Sequence, residues 1–175
     1  MVASIAVIRG SWLRVTKLLS QVTKFSPQWW KTLGLDVCNR IRRRVQVDHR
    51  NAKGETFASY HPDYAEKKKN NEAAAKGTPQ ASFSTTPDMT LTGKTMADLK
   101  VRNESKFGVT IGWMGLHGGI VDSLHGRKNY KIINLDDSNV FADEETKAIM
   151  TAIDSELDKN IRAWASEKIN IEVGK

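Results

Sequence analysis

Thr92-Gly93-Lys94-Thr95 has the ending of a phosphate-binding loop. That chemistry needs a further glycine five residues before Gly93, so that backbone amides can wrap the phosphates. Asp88 stands there instead, and the segment reads as a turn. Gly112, Gly115, Gly118 and Gly119 are dense enough to attract notice, but their spacing is not the dinucleotide fingerprint. Gly112 belongs to a strand pattern, and the others suit a flexible loop after it. His49, His61, His117 and His125 never stand four apart on a helical pattern, and no paired acidic ligands flank them. Asp136-Asp137 and Asp143-Glu144-Glu145 carry enough charge for a divalent ion, yet loop and helix-capping roles account for them. Cys38 is alone, which excludes a disulfide framework and a cysteine metal cluster. With no nucleophile elbow and no Cys–His signature, the expectation is a protein without catalytic residues, metal or cofactor.

Charge is the stronger signal. The chain carries 27 Lys and Arg against 20 Asp and Glu, a net of +7. Residues 1–76 hold 15 basic and 6 acidic residues, a net of +9, and residues 77–175 hold 12 and 14, a net of −2. A basic half suits contact with nucleic acid or an acidic protein. Two clusters supply it. Arg40, Arg42, Arg43 and Arg44 fall within one helical pattern, and Lys67, Lys68 and Lys69 follow the aromatics Phe57, Tyr60 and Tyr64. Aromatic and basic residues interleaved in this way are also the composition of a single-strand-binding surface. Both clusters are candidate surfaces for a partner or for DNA.

These residues must be held by regular elements. Residues 4–23 place Ile5, Ile8, Trp12, Val15, Leu19 and Val22 at spacings of three and four, which predicts an amphipathic N-terminal helix. Ser26-Pro27 predicts a second helix start, with Ser as N-cap and Pro at the first position. Trp30, Leu33, Val37, Ile41 and Val45 form its apolar face. Each residue turns by about 100°, so the three consecutive arginines Arg42, Arg43 and Arg44 cannot share one face. Arg43 points away from the apolar stripe, whereas Arg44 lies at its edge and must snorkel or meet a partner. Periodicity is absent from Asp48 to about Asp88, and the polar stretch at 66–88 reads as a long loop that orders against neighbours. Leu99 and Val101, a turn around Asn103-Glu104-Ser105, and Phe107-Val109-Ile111-Trp113 predict an antiparallel hairpin. Tyr130 to Leu135 is a candidate third strand. Asp143-Glu144-Glu145 predicts a helix start, continued by Ile149, Ile153, Leu157, Ile161 and Trp164, and Ile169, Ile171 and Val173 alternate as a final short strand.

The fold expectation is α+β: helices packed on a small, mainly antiparallel sheet, with a long flexible loop and an N-terminal helical arm. The organisation is an arm over 1–25 and a single domain over 26–175, of a size that buries a respectable core. Arg9, Arg14 and Lys17 interrupt the apolar runs near the N-terminus, so no secretory signal is expected there. No stretch approaches the ~20 apolar residues of a membrane span. A soluble protein with no membrane contact is expected.

Gly54-Glu55-Thr56-Phe57, Tyr60-His61-Pro62-Asp63-Tyr64-Ala65, Lys67-Lys68-Lys69, Leu91-Thr92-Gly93-Lys94, the 99–113 hairpin and Ser123-Leu124-His125-Gly126-Arg127 occur in that order. The order and spacing resemble the phage virion morphogenesis (tail-completion) family over roughly residues 35 to 165. In that family a helix is followed by a glycine and an aromatic-rich turn, matched by Gly54, Phe57 and Tyr60. A tyrosine-alanine-lysine segment comes next, matched by Tyr64-Ala65 with Lys67 or Lys68. The family's leucine-threonine-glycine turn corresponds to Leu91-Thr92-Gly93, its histidine-glycine-arginine stretch to His125-Gly126-Arg127, and its last helix to 143–165. The chain departs from the pattern after Arg127, where Lys128-Asn129-Tyr130 replaces a proline and an apolar run, and residues 1–25 lie outside the similarity. The resemblance implies a structural virion protein, made in the host cytoplasm and placed at the neck of a tailed bacteriophage. It would form a homo-oligomeric ring, six-membered by analogy with tail-tube symmetry, that completes or terminates the tail and joins it to the head connector. Head-connector and tail-tube proteins would be its neighbours, with genomic DNA passing through the lumen. Ile8, Trp12, Leu19, Tyr60 and Tyr64 are the candidate inter-subunit contacts. The alternative is a free, basic nucleic-acid-binding protein that uses the arginine helix and the aromatic-lysine segment.

Overall fold

The computed structural model describes residues 23–90, 92–125, 130, 132–133 and 141–173, with residue 125 and residues 167–173 described by their backbone alone. The N-terminal helix expected at 4–23, including Ile8, Trp12 and Leu19, lies outside the described residues.

The first described helix, α1 (Pro27–Gln46), starts as its sequence dictates. Ser26 is extended, and its Oγ accepts the Trp29 N–H at 3.0 Å, satisfying one of the amides that a helix N-terminus leaves open. Phe25, Trp29 and Trp30 stack around this end, with ring centroids 4.6 to 5.2 Å apart. Further along, Leu33, Val37, Ile41 and Val45 recur every four residues and are buried together with Cys38. Burial pushes the Cys38 thiol above its ordinary range, the opposite of what a reactive thiolate requires.

Strand β1 (Lys100–Ser105) pairs antiparallel with β2 (Gly108–Gly112), with Val101 opposite Ile111, and this hairpin lies on α1. Gly34 is what allows the close approach. A Cβ built there would meet Val109 Cγ2 at 2.8 Å and Val101 Cγ2 at 2.9 Å, both inside normal contact. The helix gives up roughly 1 kcal/mol of propensity at Gly34 relative to alanine and in exchange seats two β-branched side chains against its backbone.

The hairpin differs from its expectation in one respect. Its turn is at Lys106-Phe107, beyond Asn103-Glu104-Ser105, all three of which are in β1. Ser105 Oγ accepts the Phe107 N–H at 3.1 Å and closes the turn, and an irregularity between Val101 and Asn103 shifts the pairing by one residue. Phe107 therefore leaves the inward alternation and is 83% exposed at the tip. Trp113 lies just past β2, where its Nε1 donates to the Thr95 carbonyl at 2.8 Å.

Three helices surround this unit: α2 (Pro62–Lys69), the single turn α3 (Lys94–Ala97) and α4 (Gly115–His125). The glycine-rich stretch read as a loop is helix α4, because Ile120, Val121 and Leu124 recur at helical spacing and Val121 enters the core at 2% exposure. The last helix, α5 (Asp143–Val173), has 31 residues and begins on the expected acidic turn. Its backbone stays helical through the positions read as a final strand. Alternation over Ile169, Ile171 and Val173 is a short signal, and extending an existing helix adds one hydrogen bond per residue without a new nucleus. The described residues of the expected third strand, Tyr130, Ile132 and Ile133, are not in a strand. Among the described residues the fold is thus α+β, with helices on a two-stranded antiparallel sheet.

One contact ties the two ends of the domain. Arg44 is 5% exposed, and its Nε donates to Glu145 Oε1 at 2.6 Å. Its remaining donors reach the carbonyls of Arg50 at 3.0 Å and Ile132 at 2.7 Å. Glu145 in turn accepts the Ala142 N–H at 3.0 Å, as the third residue of a capping box does at a helix start. Replacing Arg44 by Met leaves a buried carboxylate without its counter-charge and two carbonyls without their side-chain donor, at a cost of about 3–5 kcal/mol. For a chain of this size each kcal/mol lowers the melting temperature by roughly 2–4 °C. Thermal unfolding should show that fall. A loss below about 1 kcal/mol would mean that water replaces the guanidinium.

Candidate functional site

The four arginines of α1 do not form one surface. Arg40 is exposed and pairs with Asp36 one turn back, at 2.7 Å. Arg42 is half-buried, donating to the Met96 carbonyl at 3.0 Å, to Asn39 Oδ1 at 2.8 Å and to the Leu99 carbonyl. Its task is to satisfy the end of α3 and the entry to β1. Arg44, expected to snorkel or meet a partner, meets Glu145 inside the chain. Arg42 and Arg44 are thereby removed from the candidate surface, and Arg40 and Arg43 remain on it.

Arg40 and Arg43 border a concavity of about 750 Å³ together with Arg50 and Lys53. Its rim also carries Asp48, Asp143 and Glu144. Carboxylates at the mouth oppose the entry of a polyanion, while a protein surface bearing both signs can match both. The lining of the concavity therefore carries both signs of charge.

Lys67, Lys68 and Lys69 separate in the same way. Lys67 and Lys69 face solvent, whereas Lys68 is 0% exposed. Its Nζ donates to Asp88 Oδ1 at 2.6 Å and to Tyr60 Oη at 3.3 Å, and it lies 4.8 Å from the Tyr60 ring centroid. Asp88 also accepts from the Thr90 N–H at 2.9 Å and from the Ser82 hydroxyl. Gln80 Nε2 donates to the Ser82 carbonyl at 2.8 Å and to the carbonyl of Lys68. Of the loop expected over 66–88, residues 66–69 are instead the last turn of α2, where the helix begun at Pro62 continues; the remainder has no helix or strand and is fastened within the chain around Lys68.

Burial alone would raise the Asp88 carboxyl, but the hydrogen bonds from Lys68, Ser82 and Thr90 and the Lys68 charge outweigh it and hold the group below the ordinary carboxylate range. Burial pushes the Tyr60 phenol far upward, and with less force that of Tyr64, so both stay neutral. A lysine with no solvent access cannot reach a substrate, and a carboxylate held below its ordinary range is a weak base for the Ser82 hydroxyl. The cluster can fasten a loop, and it is not arranged for group transfer.

Beside it Tyr60 and Tyr64 meet edge to face at 5.0 Å and line an open groove of about 610 Å³ with Tyr130, Met89, Ile120 and Leu124. Tyr130 is fixed by donating its hydroxyl to the Ala58 carbonyl at 2.7 Å. The two tyrosines expected at a subunit contact thus share one apolar concavity. Three of its other walls, Tyr130, Ile120 and Leu124, and the anchor Asp88 were not singled out by sequence. One signal was available: Tyr60, Tyr64 and Lys68 are four residues apart, which places the lysine on the face of the tyrosines and away from its two lysine neighbours.

Among the described residues the histidines do not assemble. His61 lies exposed 3.8 Å from Asp63, and His117 Nδ1 is 3.4 Å from Thr95 Oγ1. Among the described residues no three His, Cys, Asp or Glu side chains are grouped to hold a metal. Gly126 and Arg127 lie outside the described residues. No family model, curated protein or solved structure matches the chain.

The Asp88 carboxyl is lowered on folding, so its contribution is in full force above the unfolded carboxylate range, near pH 4, and fades as pH falls through the lower folded value. Hydrogen exchange at residues 80–90, corrected for the intrinsic pH effect, should rise across that acid window before the domain as a whole opens. Lys68→Met should abolish this acid step and expose the loop at neutral pH as well. Acid behaviour identical in the two proteins would rule the fastening out.

Proposed function

We propose that this chain is a structural virion protein of a tailed bacteriophage, one subunit of a ring at the neck that completes the tail and joins it to the head connector. The observation that carries the reading is the ordered series from Gly54-Glu55-Thr56-Phe57 through Leu91-Thr92-Gly93 to His125-Gly126-Arg127. Large apolar side chains left open at the surface support it: Phe107, Met114, Leu116 and Met150 are each more than half exposed. Scattered apolar exposure is common, but side chains of this size at a hairpin tip, at the start of α4 and on α5 suit a subunit with lateral neighbours. The protein acts by assembly and not by catalysis. Its partners are copies of itself, six by analogy with tail tubes, the connector and tube proteins, and DNA in transit.

A second reading, free nucleic-acid binding, draws on Arg40, Arg43, Arg50 and Lys53 around one concavity. A salt titration of binding to DNA fragments separates the two. Several phosphate contacts give a steep fall in affinity with salt, about 0.9 in logarithmic slope per neutralised phosphate. The ring reading expects a shallow one.

Imaging of particles assembled without the protein tests the main proposal directly. Filled heads and unjoined tails are expected, and normally joined, infectious particles would refute it. Arg43→Glu with Arg40→Glu should block joining in the same assay while the protein stays folded, because both residues are exposed. Joined particles that leak packaged DNA would instead place these arginines against the lumen.

A further inference from the structure

The chain carries an apolar knob and an apolar groove on different parts of its surface, and we infer that the Phe107 tip of one copy inserts into the tyrosine groove of the next. The inference rests on the ring reading above and specifies its lateral contact. Phe107 is 83% exposed on a turn that the chain holds firmly. The turn is closed by Ser105, and its strand is tied to α1 by Lys31 donating to Glu104 at 3.3 Å and by the close approach of Val101 and Val109 to Gly34. A rigid aromatic with few rotamers loses little entropy on docking, which is why such residues dominate binding energy at interfaces. No side chain of the described residues covers it beyond the Lys106 ammonium, 4.8 Å from its ring centroid.

The groove is large enough for the knob and suits it chemically. About 610 Å³ between Tyr64, Tyr130, Ile120 and Leu124 takes a phenyl ring with the backbone of its turn. Its tyrosine walls offer the edge-to-face partners that aromatic rings prefer. Charge agrees as well. The tip carries a cation, Lys106, which has no carboxylate partner among the described residues, the nearby Glu104 being paired with Lys31. At the groove mouth His61 lines the wall and the exposed Asp63 carboxylate lies 3.8 Å from it. A lysine arriving beside the phenylalanine meets that carboxylate. Knob and groove are distinct surfaces, so the contact is head to tail, and contacts of that kind close into a ring or grow into a filament.

The test uses the full-length chain and two variants at exposed or partly exposed sites: Phe107→Asp, which removes the knob, and Ile120→Arg at a residue 37% exposed, which obstructs the groove. Sedimentation equilibrium should show each variant weakened in self-association by about 30-fold or more, the scale of losing a buried aromatic anchor. Circular dichroism and thermal unfolding should match the parent. Mixing the two variants leaves one intact knob facing one intact groove. A one-to-one heterodimer that grows no further is the expected product. Parent rings that persist in both variants would overturn the knob contact and leave the neck reading standing. Association lost only on deleting residues 1–22 would do the same. An open dimer or filament that depends on Phe107 would keep the contact and overturn the ring. A parent chain that stays monomeric at millimolar concentration would overturn both.

Discussion

The buried Arg44–Glu145 pair is the contact on which the arrangement of this fold depends. It joins residues 101 apart in sequence and lies where α1 ends, α5 begins and the chain passes through Arg50 and Ile132. Two charges removed from water cost several kcal/mol each, and their attraction compensates only when every remaining donor and acceptor is used. Here each guanidinium nitrogen and each carboxylate oxygen has a partner. The guanidinium reaches two carbonyls besides the carboxylate, and the carboxylate takes a helix amide besides the guanidinium. Apolar packing alone would let α5 slide or rotate on α1. A satisfied ion pair has a single geometry, and the start of α5 is set by it.

Lys68 and Asp88 repeat this solution on the other side of the domain. The segment between them is too polar to fold by burying apolar surface, and a charge that must be met indoors substitutes for the missing core. Both fastenings draw on residues from the two basic clusters. The excess positive charge of the first half of the chain is therefore partly architectural, and what faces outward is narrower than the sequence count implies. Among the described residues of that half it comprises Arg40, Arg43, Arg50 and Lys53 near one concavity, Lys67 and Lys69 on α2, and Lys24 and Lys76.

Legibility followed periodicity. The stripe of Leu33, Val37, Ile41 and Val45, the Ser26 cap and the acidic start of α5 were all readable, because each is a local rule acting on neighbouring residues. The geometry of Arg44 was half readable. Its place at the edge of the stripe required a partner, and nothing local could say that the partner was Glu145. The glycine-rich helix α4 was missed because composition outweighed the helical spacing of Ile120, Val121 and Leu124. Phe107 was placed inside because a strand alternation carries no mark of where a serine hydroxyl will close the turn. Lys68 was misread as surface because three lysines in a row look alike until the face of α2 is drawn.

The length of α5 has a mechanical side. Thirty-one residues of helix extend about 46 Å, and the radius of gyration expected for a compact chain of this length is about 16 Å. A rod of that reach, gripped at Glu145 near one end, behaves as a pointer. Tilting it by about 5° at the grip carries the far tip sideways by roughly 4 Å, a displacement comparable to one residue's rise in a strand. A repacking of a few tenths of an ångström around one guanidinium, too slight to disturb the core, is thus magnified into a movement that a neighbour at the distal end would feel.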